Sequence, residues 1–124
     1  MALKRYLIEI GQGVDMHGGN QTNAALKAIK DATHHCCMAG IYDIYNLKPS
    51  KNNIFLKIDI YTPNPEAINI MPLKSYFNNI YDVEVDIHNG GASAKGLHMP
   101  EMGPGDNIII VLAVLTVYIN IEEV

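Results

Sequence analysis

The sequence has few of the features that would place the protein in a specialised class. Its only two cysteines, Cys36 and Cys37, are adjacent, so they cannot easily close a disulfide, and a reducing, cytoplasmic setting is the expectation. The longest apolar run, residues 108–119, is about a dozen residues, whereas a membrane-spanning helix needs about 20. The apolar run within residues 1–10 is too short for a secretory signal. We therefore expect no membrane partner.

Positive charge is also scarce. Nine Lys and Arg residues are outnumbered by 13 Asp and Glu residues, which gives a formal net charge of −4. The basic residues are scattered along the chain and form no stripe. A general nucleic-acid binder normally gathers a basic surplus on one face, so we expect no nucleic-acid partner.

What remains is an ordinary globular composition, with 48% hydrophobic and 18% charged residues. A chain of 124 residues is most simply a single domain, residues 1–124. At this size roughly two-thirds of the unfolded surface can be buried, so neither a disulfide nor a structural metal is needed for a core.

Hydrophobic periodicity predicts an α+β fold. Alternating apolar residues indicate strands, and apolar residues at helical spacing indicate two helices, the first capped by Asn20 or Thr22. The expected architecture is two layers: a mixed sheet of about four strands with the helices on one face. The order is β-α-β-α-β-β, over residues 3–10, 22–37, 53–61, 66–77, 80–88 and 106–119, with a further short strand suggested at residues 92–95.

The last predicted strand is apolar on both faces. Such a strand is usually central in its sheet and covered on both sides. If both helices lie on one face, something else must cover the other face, and we expect a second copy of the chain, in a homo-oligomer that could be a trimer or larger. One helix on each face is the alternative.

The segment at residues 11–19 is the candidate site. It is predicted to be a glycine-rich loop between the first strand, ended by Gly11, and the first helix. Glycines let the backbone approach a ligand, and the helix that follows points its unpaired N–H groups at the loop, which favours a small polar or anionic molecule. A dinucleotide fingerprint fails because Met16 stands at the third glycine position, and a P-loop fails because no lysine follows.

Asp15 and His17 are the two ionisable residues of this segment. A carboxylate beside an imidazole can orient a general base, supply half of a divalent metal site, or simply brace a loop. These alternatives stay open. The residues expected to bind a ligand are Gly11, Gly13, Gly18 and Gly19, together with His98 and Glu101 in the loop that precedes the last strand.

The pattern Gly11, Gly13, Asp15, His17 and Gly18 resembles the G-x-G-x-D-x-H-G signature of an uncharacterised family of hypothetical proteins in bacteria and plants. The resemblance implies that these residues act together and transfers no activity. The order of elements also resembles the chorismate-mutase-like α+β architecture, which includes small trimeric proteins with clefts between subunits. This second resemblance implies sites where subunits meet.

Two other clusters are interpreted structurally. The run from His34 to Cys37 cannot converge on one zinc ion, because neighbouring helical residues point about 100° apart, so both cysteines are expected in the core at the helix end. Asp82, Glu84 and Asp86 line one strand face. They are expected to be solvated or to pair with Lys57 on a neighbouring strand.

Two classes of function follow. The first is binding of a small polar or anionic molecule, with or without a metal, at the loop 11–19, where Asp15 and His17 would be catalytic if the protein is an enzyme. The second is a non-enzymatic oligomeric regulatory or binding module in which the loop is structural.

Overall fold

The computed structural model describes residues 2–121. Its regular elements are five strands, three helices and one short 3-10 turn at Pro65–Ala67. In chain order they are β1 (Leu3–Asp15), α1 (Gln21–His34), α2 (Ala39–Asp43), β2 (Ile54–Thr62), α3 (Ile70–Lys74), β3 (Asp82–Asn89), β4 (Ala92–Lys95) and β5 (Asn107–Asn120).

The strands form one mixed sheet in the order β1-β5-β2-β3. β5 pairs antiparallel with both β1 and β2, whereas β2 and β3 are parallel. The short β4 pairs with the beginning of β5, where it continues the line of β2 beyond the end of that strand. The α+β class is confirmed, and the sheet is one strand larger than the expected four.

β1 is longer than predicted, and the prediction that Gly11 ends it was wrong. The strand runs on to Asp15, and its pairing with β5 continues through Gly11, opposite Ala113, and Gly13, opposite Val111, to the last pair, Asp15 with Ile109. The ladder to β5 satisfies the backbone of these residues, so the glycines do not interrupt the strand. Only residues 16–20 form the turn into α1.

All three helices lie on one face of the sheet. The buried face of α1 carries mainly alanines, Ala24, Ala28 and Ala32 among them, and packs on β1 and β5 with Ile58 and Leu115 beneath it. The short α2 places Ile41 against the other end of the same face. The core therefore lies between the helices and this side of the sheet.

Two predicted helices differ from the structure. The first was expected to reach residue 37, but α1 ends at His34, so Cys36 and Cys37 are exposed and the expectation that they lie in the core was wrong. The stretch 66–77 forms only the 3-10 turn and the five-residue α3, which contains Pro72. No helix within residues 2–121 is long and apolar enough to cross a membrane.

The other face of the sheet carries no helix within the described residues, and we call it the open face. Its polar half lies on β2 and β3, where Lys57 forms ion pairs with Asp86 and Glu84, as the sequence suggested. Its apolar half lies on β1 and β5. It consists of Ile8, Ile10, Val14, Ile110, Leu112 and Val114, with the exposed side chain of Gln12 between Ile10 and Val14.

Candidate functional site

Gly11 and Gly13 lie beneath α1 and are buried there. A Cβ atom on Gly13 would overlap the carbonyl oxygen of Ala24 and the backbone nitrogen of Ala28. A Cβ atom on Gly11 would overlap backbone atoms of Ala28 and Ala32 in the same way. The two glycines therefore let the helix backbone approach the strand closely, and the alanines of α1 are the matching half of this contact.

Asp15 ends β1 with its side chain buried on the helix face. Its Oδ2 atom accepts a hydrogen bond from the backbone N–H of Asn20 at 2.8 Å, and its Oδ1 atom accepts one from Nδ2 of Asn23 at 3.1 Å. Asn20 caps α1 as predicted, by accepting from the backbone N–H of Asn23 at 2.9 Å. Both oxygens of Asp15 are thus used to hold the start of α1.

Further bonds tie α1 along the edge strand β1. Lys27 Nζ donates to the carbonyl oxygen of Val14 at 3.1 Å, and the backbone N–H of Gln12 donates to Oδ2 of Asp31 at 2.9 Å. Asn23, Lys27 and Asp31 follow one another at helical spacing, so a single row of α1 side chains binds the free edge of β1. The bond from Gln12 is the main cause that lowers the pKa of Asp31.

The turn after β1 packs against the loop that precedes β5. The backbones of Gly18 and Gly103 are so close that a Cβ on Gly103 would lie 2.7 Å from the Cα of Gly18. Gly18 has a φ of 97° and Gly19 a φ of 62°, so the turn uses the left-handed region twice. The Nδ1 atom of His17 is shielded from solvent in the turn and has no hydrogen-bond partner within residues 2–121.

The structure brings the predicted site residues together only in part. The loop with His98 and Glu101 does lie beside the turn, because β5 runs antiparallel to β1, as the sequence suggested. The two side chains themselves are exposed, and no hydrogen bond or ion pair within residues 2–121 joins either to Asp15 or His17. Asp15 and His17 form none with each other. Within the same range no three His, Cys, Asp or Glu side chains group as a metal site.

Sequence reasoning missed a second candidate site on the helix side of the sheet. A cavity of about 200 Å³ lies beneath the C-terminal end of α1. Glu9 of β1 lines it, only 9% exposed, and Cys36 lines it as well. Thr33 and Tyr81 add hydroxyl groups, and the remaining wall is apolar. One feature of the sequence could have indicated this site: Glu9 alternates with Gly11 and Gly13, so the three residues face the same side of an extended strand. That side can be identified as the helix side only once β1 is known to continue past Gly11.

Burial raises the pKa of Glu9 above its ordinary value of 4.5, and the Cys36 hydrogen bond opposes this in part. The folded protein thus holds this proton more tightly than the unfolded chain does. Stability linked to Glu9 is therefore fully present below the unfolded pKa and is lost as the pH rises through the folded pKa.

The variant Glu9→Gln keeps the neutral form at every pH. We expect it to melt at a higher temperature than the wild type at pH 8 and at the same temperature near pH 3, where Glu9 is neutral in both states. Thermal denaturation followed by circular dichroism at both pH values measures this, with the exposed Glu101→Gln as the control that changes neither value. A Glu9→Gln protein less stable than wild type at pH 8 contradicts the assignment.

Comparison with known proteins adds the fold and the family. No curated protein matches the chain. A solved crystal structure from Nostoc punctiforme PCC 73102, described as an FtsZ-like protein of unknown function, superposes with a TM-score of 0.79 at 28% sequence identity. That match covers 97% of this chain and 98% of the other, so the two share the whole fold. Residues 5–117 match the family described as "Conserved hypothetical protein (Lin0512_fam)", and the chain belongs to that family.

Proposed function

We propose that the protein is an oligomeric binding module in which the glycine-rich segment 11–19 is architectural. The observation that carries this proposal is the open face of the sheet. Ile8 and Ile10 in its apolar half are 52% and 69% exposed, next to Leu112 at 38%. A contiguous group of large aliphatic side chains on one face, with no helix over it, is typical of an interaction surface.

The occupant proposed for this face is a second copy of the chain. A two-fold axis through the apolar half would bury Ile10 and its neighbours against themselves, because such an interface is self-complementary. The same arrangement would leave the acidic side chains of β3, such as Asp82 and Glu84, at the outer edges of both copies, where they do not repel. A partner protein with basic side chains would instead bind the polar half of the open face, where these acidic side chains lie.

The segment 11–19 is given an architectural role because its carboxylate and its two buried glycines already have partners within the chain. Both Asp15 oxygens accept hydrogen bonds, and Gly11 and Gly13 face α1. The negative charge of Asp15 also lies at the positive end of α1, which disfavours an added anion there. These contacts support a brace over an acid–base pair.

The variant Ile10→Lys tests the assembly. An unpaired ammonium group in an apolar interface costs several kcal/mol, so we expect the dissociation constant of the oligomer to rise about 100-fold or more. Sedimentation velocity over a dilution series measures it. Ile80→Lys is the matched control, because Ile80 is similarly exposed but lies outside the sheet.

A wild-type protein that sediments as a single chain at micromolar concentration would refute the assembly. So would an Ile10→Lys variant that associates as tightly as the wild type and the Ile80→Lys control.

A second candidate function is favoured by the buried, unpartnered Nδ1 atom of His17. In this alternative a small polar or anionic molecule, or a divalent metal, binds at the turn. His17 and Asp15 would be its acid–base or ligand pair, supported by Gly18, Gly19, His98 and Glu101. A ligand acceptor or metal ion would satisfy Nδ1, which otherwise loses its hydrogen bond to water without replacement.

We also propose the two resemblances noted in the sequence and a cellular location. The single helical layer on a mixed sheet supports the chorismate-mutase-like arrangement, in which a trimer with a heterologous interface is the alternative to the two-fold pair. The segment from Gly11 to Gly18 supports membership of the group with the G-x-G-x-D-x-H-G signature. A cytoplasmic location is proposed from the adjacent free cysteines.

A further inference from the structure

The cavity beneath α1 has the size and walls of a site for a compact organic molecule. Its floor is formed by Leu56, Leu115 and Val117, each at most 2% exposed, and Met38 and Phe77 stand over them. An apolar cavity of about 150 Å³ accommodates benzene. The volume of about 200 Å³ here therefore admits a ring or a short branched chain together with one polar group.

The polar end of the cavity carries a carboxylate without a cationic partner. Within residues 2–121 Glu9 forms no ion pair with a lysine, arginine or histidine, and the Cys36 thiol is the one group that acts to lower its pKa. A carboxylate offers about four lone-pair positions, so Glu9 can accept from an N–H donor placed in the cavity. Desolvation without a counter-charge is unfavourable, and a bound cation would relieve it.

Two aromatic rings stand in the same wall. Phe77 and Tyr81 both line the cavity, and their ring centroids lie 5.8 Å apart in a tilted arrangement. Aromatic faces attract ammonium groups and also pack on hydrocarbon. A carboxylate, two rings and an aliphatic floor together select a positively charged head on an apolar body. A carboxylate ligand would be repelled by Glu9.

We propose that this cavity binds a small organic ammonium compound, with its N–H groups donating to Glu9 and its hydrocarbon body on the floor of Leu56, Leu115 and Val117. Entry would be past Cys36, which together with Glu9 also lines a more open groove at the free edge of β1, where Ile8 and Ile10 of the assembly surface form the other side. The site goes beyond the proposed function, which assigns only the binding of a second copy of the chain. It lies on the face of the sheet opposite the assembly surface.

The test uses the full chain and three probes of nearly equal shape: benzylamine, benzyl alcohol and benzoate. Isothermal titration at pH 7, with the methyl signals of Leu115 and Val117 followed by NMR, gives affinity and location. We expect benzylamine to bind about 10-fold tighter than benzyl alcohol or better, as a charge-assisted hydrogen bond predicts, and benzoate not to bind.

The variant Glu9→Gln should remove the preference for the amine and leave the affinity for benzyl alcohol within about 3-fold, because the shape and packing of the cavity are kept. Glu66→Gln, which removes an exposed carboxylate away from the cavity, should keep the preference. Equal binding of amine and alcohol by the wild type, an unchanged preference in Glu9→Gln, or no binding of benzylamine at millimolar concentration overturns the proposal. Sedimentation of the same samples reports the assembly separately, so the two proposals fail independently.

Discussion

Replacing Gly13 by alanine is expected to lower the free energy of unfolding by about 3 kcal/mol, the upper end of the usual cost of overpacking a core. The new Cβ atom would overlap the carbonyl oxygen of Ala24 and the backbone nitrogen of Ala28. Both are main-chain atoms within α1, so no side-chain rotation can make room. The helix would have to lift from the strand, and its alanine face would lose its packing. Chemical denaturation measures the change.

Gln12→Ala is the matched control for this variant. Gln12 is the neighbouring residue of the same strand, its side chain is exposed on the opposite face, and its backbone N–H can still donate to Asp31. We expect a change within about 0.5 kcal/mol, as for most surface substitutions. If Gly13→Ala were as stable as Gln12→Ala, the close contact between α1 and β1 would be wrong.

The same contact shows how far the sequence could predict the fold. Alternating patterns placed β2, β3 and β5 to within a residue or two, because their side chains divide cleanly between core and open face. The apolar character of β5 on both faces correctly placed it inside the sheet, between β1 and β2. Antiparallel pairing of β5 with β1 then fixed the position of the loop before β5 beside the turn after β1.

The extent of β1 could not be predicted, because glycine has two opposite uses. Glycines between a strand and a helix usually mark a turn, and Gly11 and Gly13 were interpreted in that way. A glycine that makes room for a helix is recognisable only after the helix has been placed on the strand. The alanines at every fourth position from Ala24 to Ala32 were the complementary signal. Together the two patterns would have predicted close packing in place of a loop.

The cavity beneath α1 was hidden for another reason. Its walls come from β1, α1, β2, β5 and the segments around Met38 and Phe77, which are far apart in the chain. No local spacing brings Glu9 and Tyr81 together. The early end of α1 at His34 also matters, because it lets Cys36 join Glu9 in the cavity wall. A longer helix was expected from the apolar pattern, and it would have buried both cysteines.

Asp15→Ala is the second variant for which we expect a large effect, a loss of about 2 to 3 kcal/mol in the free energy of unfolding. The substitution leaves the backbone N–H of Asn20 and the side-chain amide of Asn23 without their acceptor, and hydrogen bonds to a charged group contribute about 1.5 to 3 kcal/mol. Asn23→Ala removes only one of these bonds and should cost about 1 kcal/mol. Because Asp15 and Asn23 contact each other, the double variant should cost less than the sum of the two.

His17→Ala separates the architectural role from the binding role of the turn. If the turn is a brace, His17→Ala changes stability by less than about 1 kcal/mol, since its Nδ1 atom has no partner within the described residues to lose. Titration with inorganic phosphate and with zinc ion, followed by the amide signals of Gly18 and Gly19, should then show no saturable shift in the wild type. A saturable shift that disappears in His17→Ala would instead assign the turn to ligand binding and overturn the architectural role. The hydrogen-bond partner of the imidazole would then be the ligand and not another part of the chain.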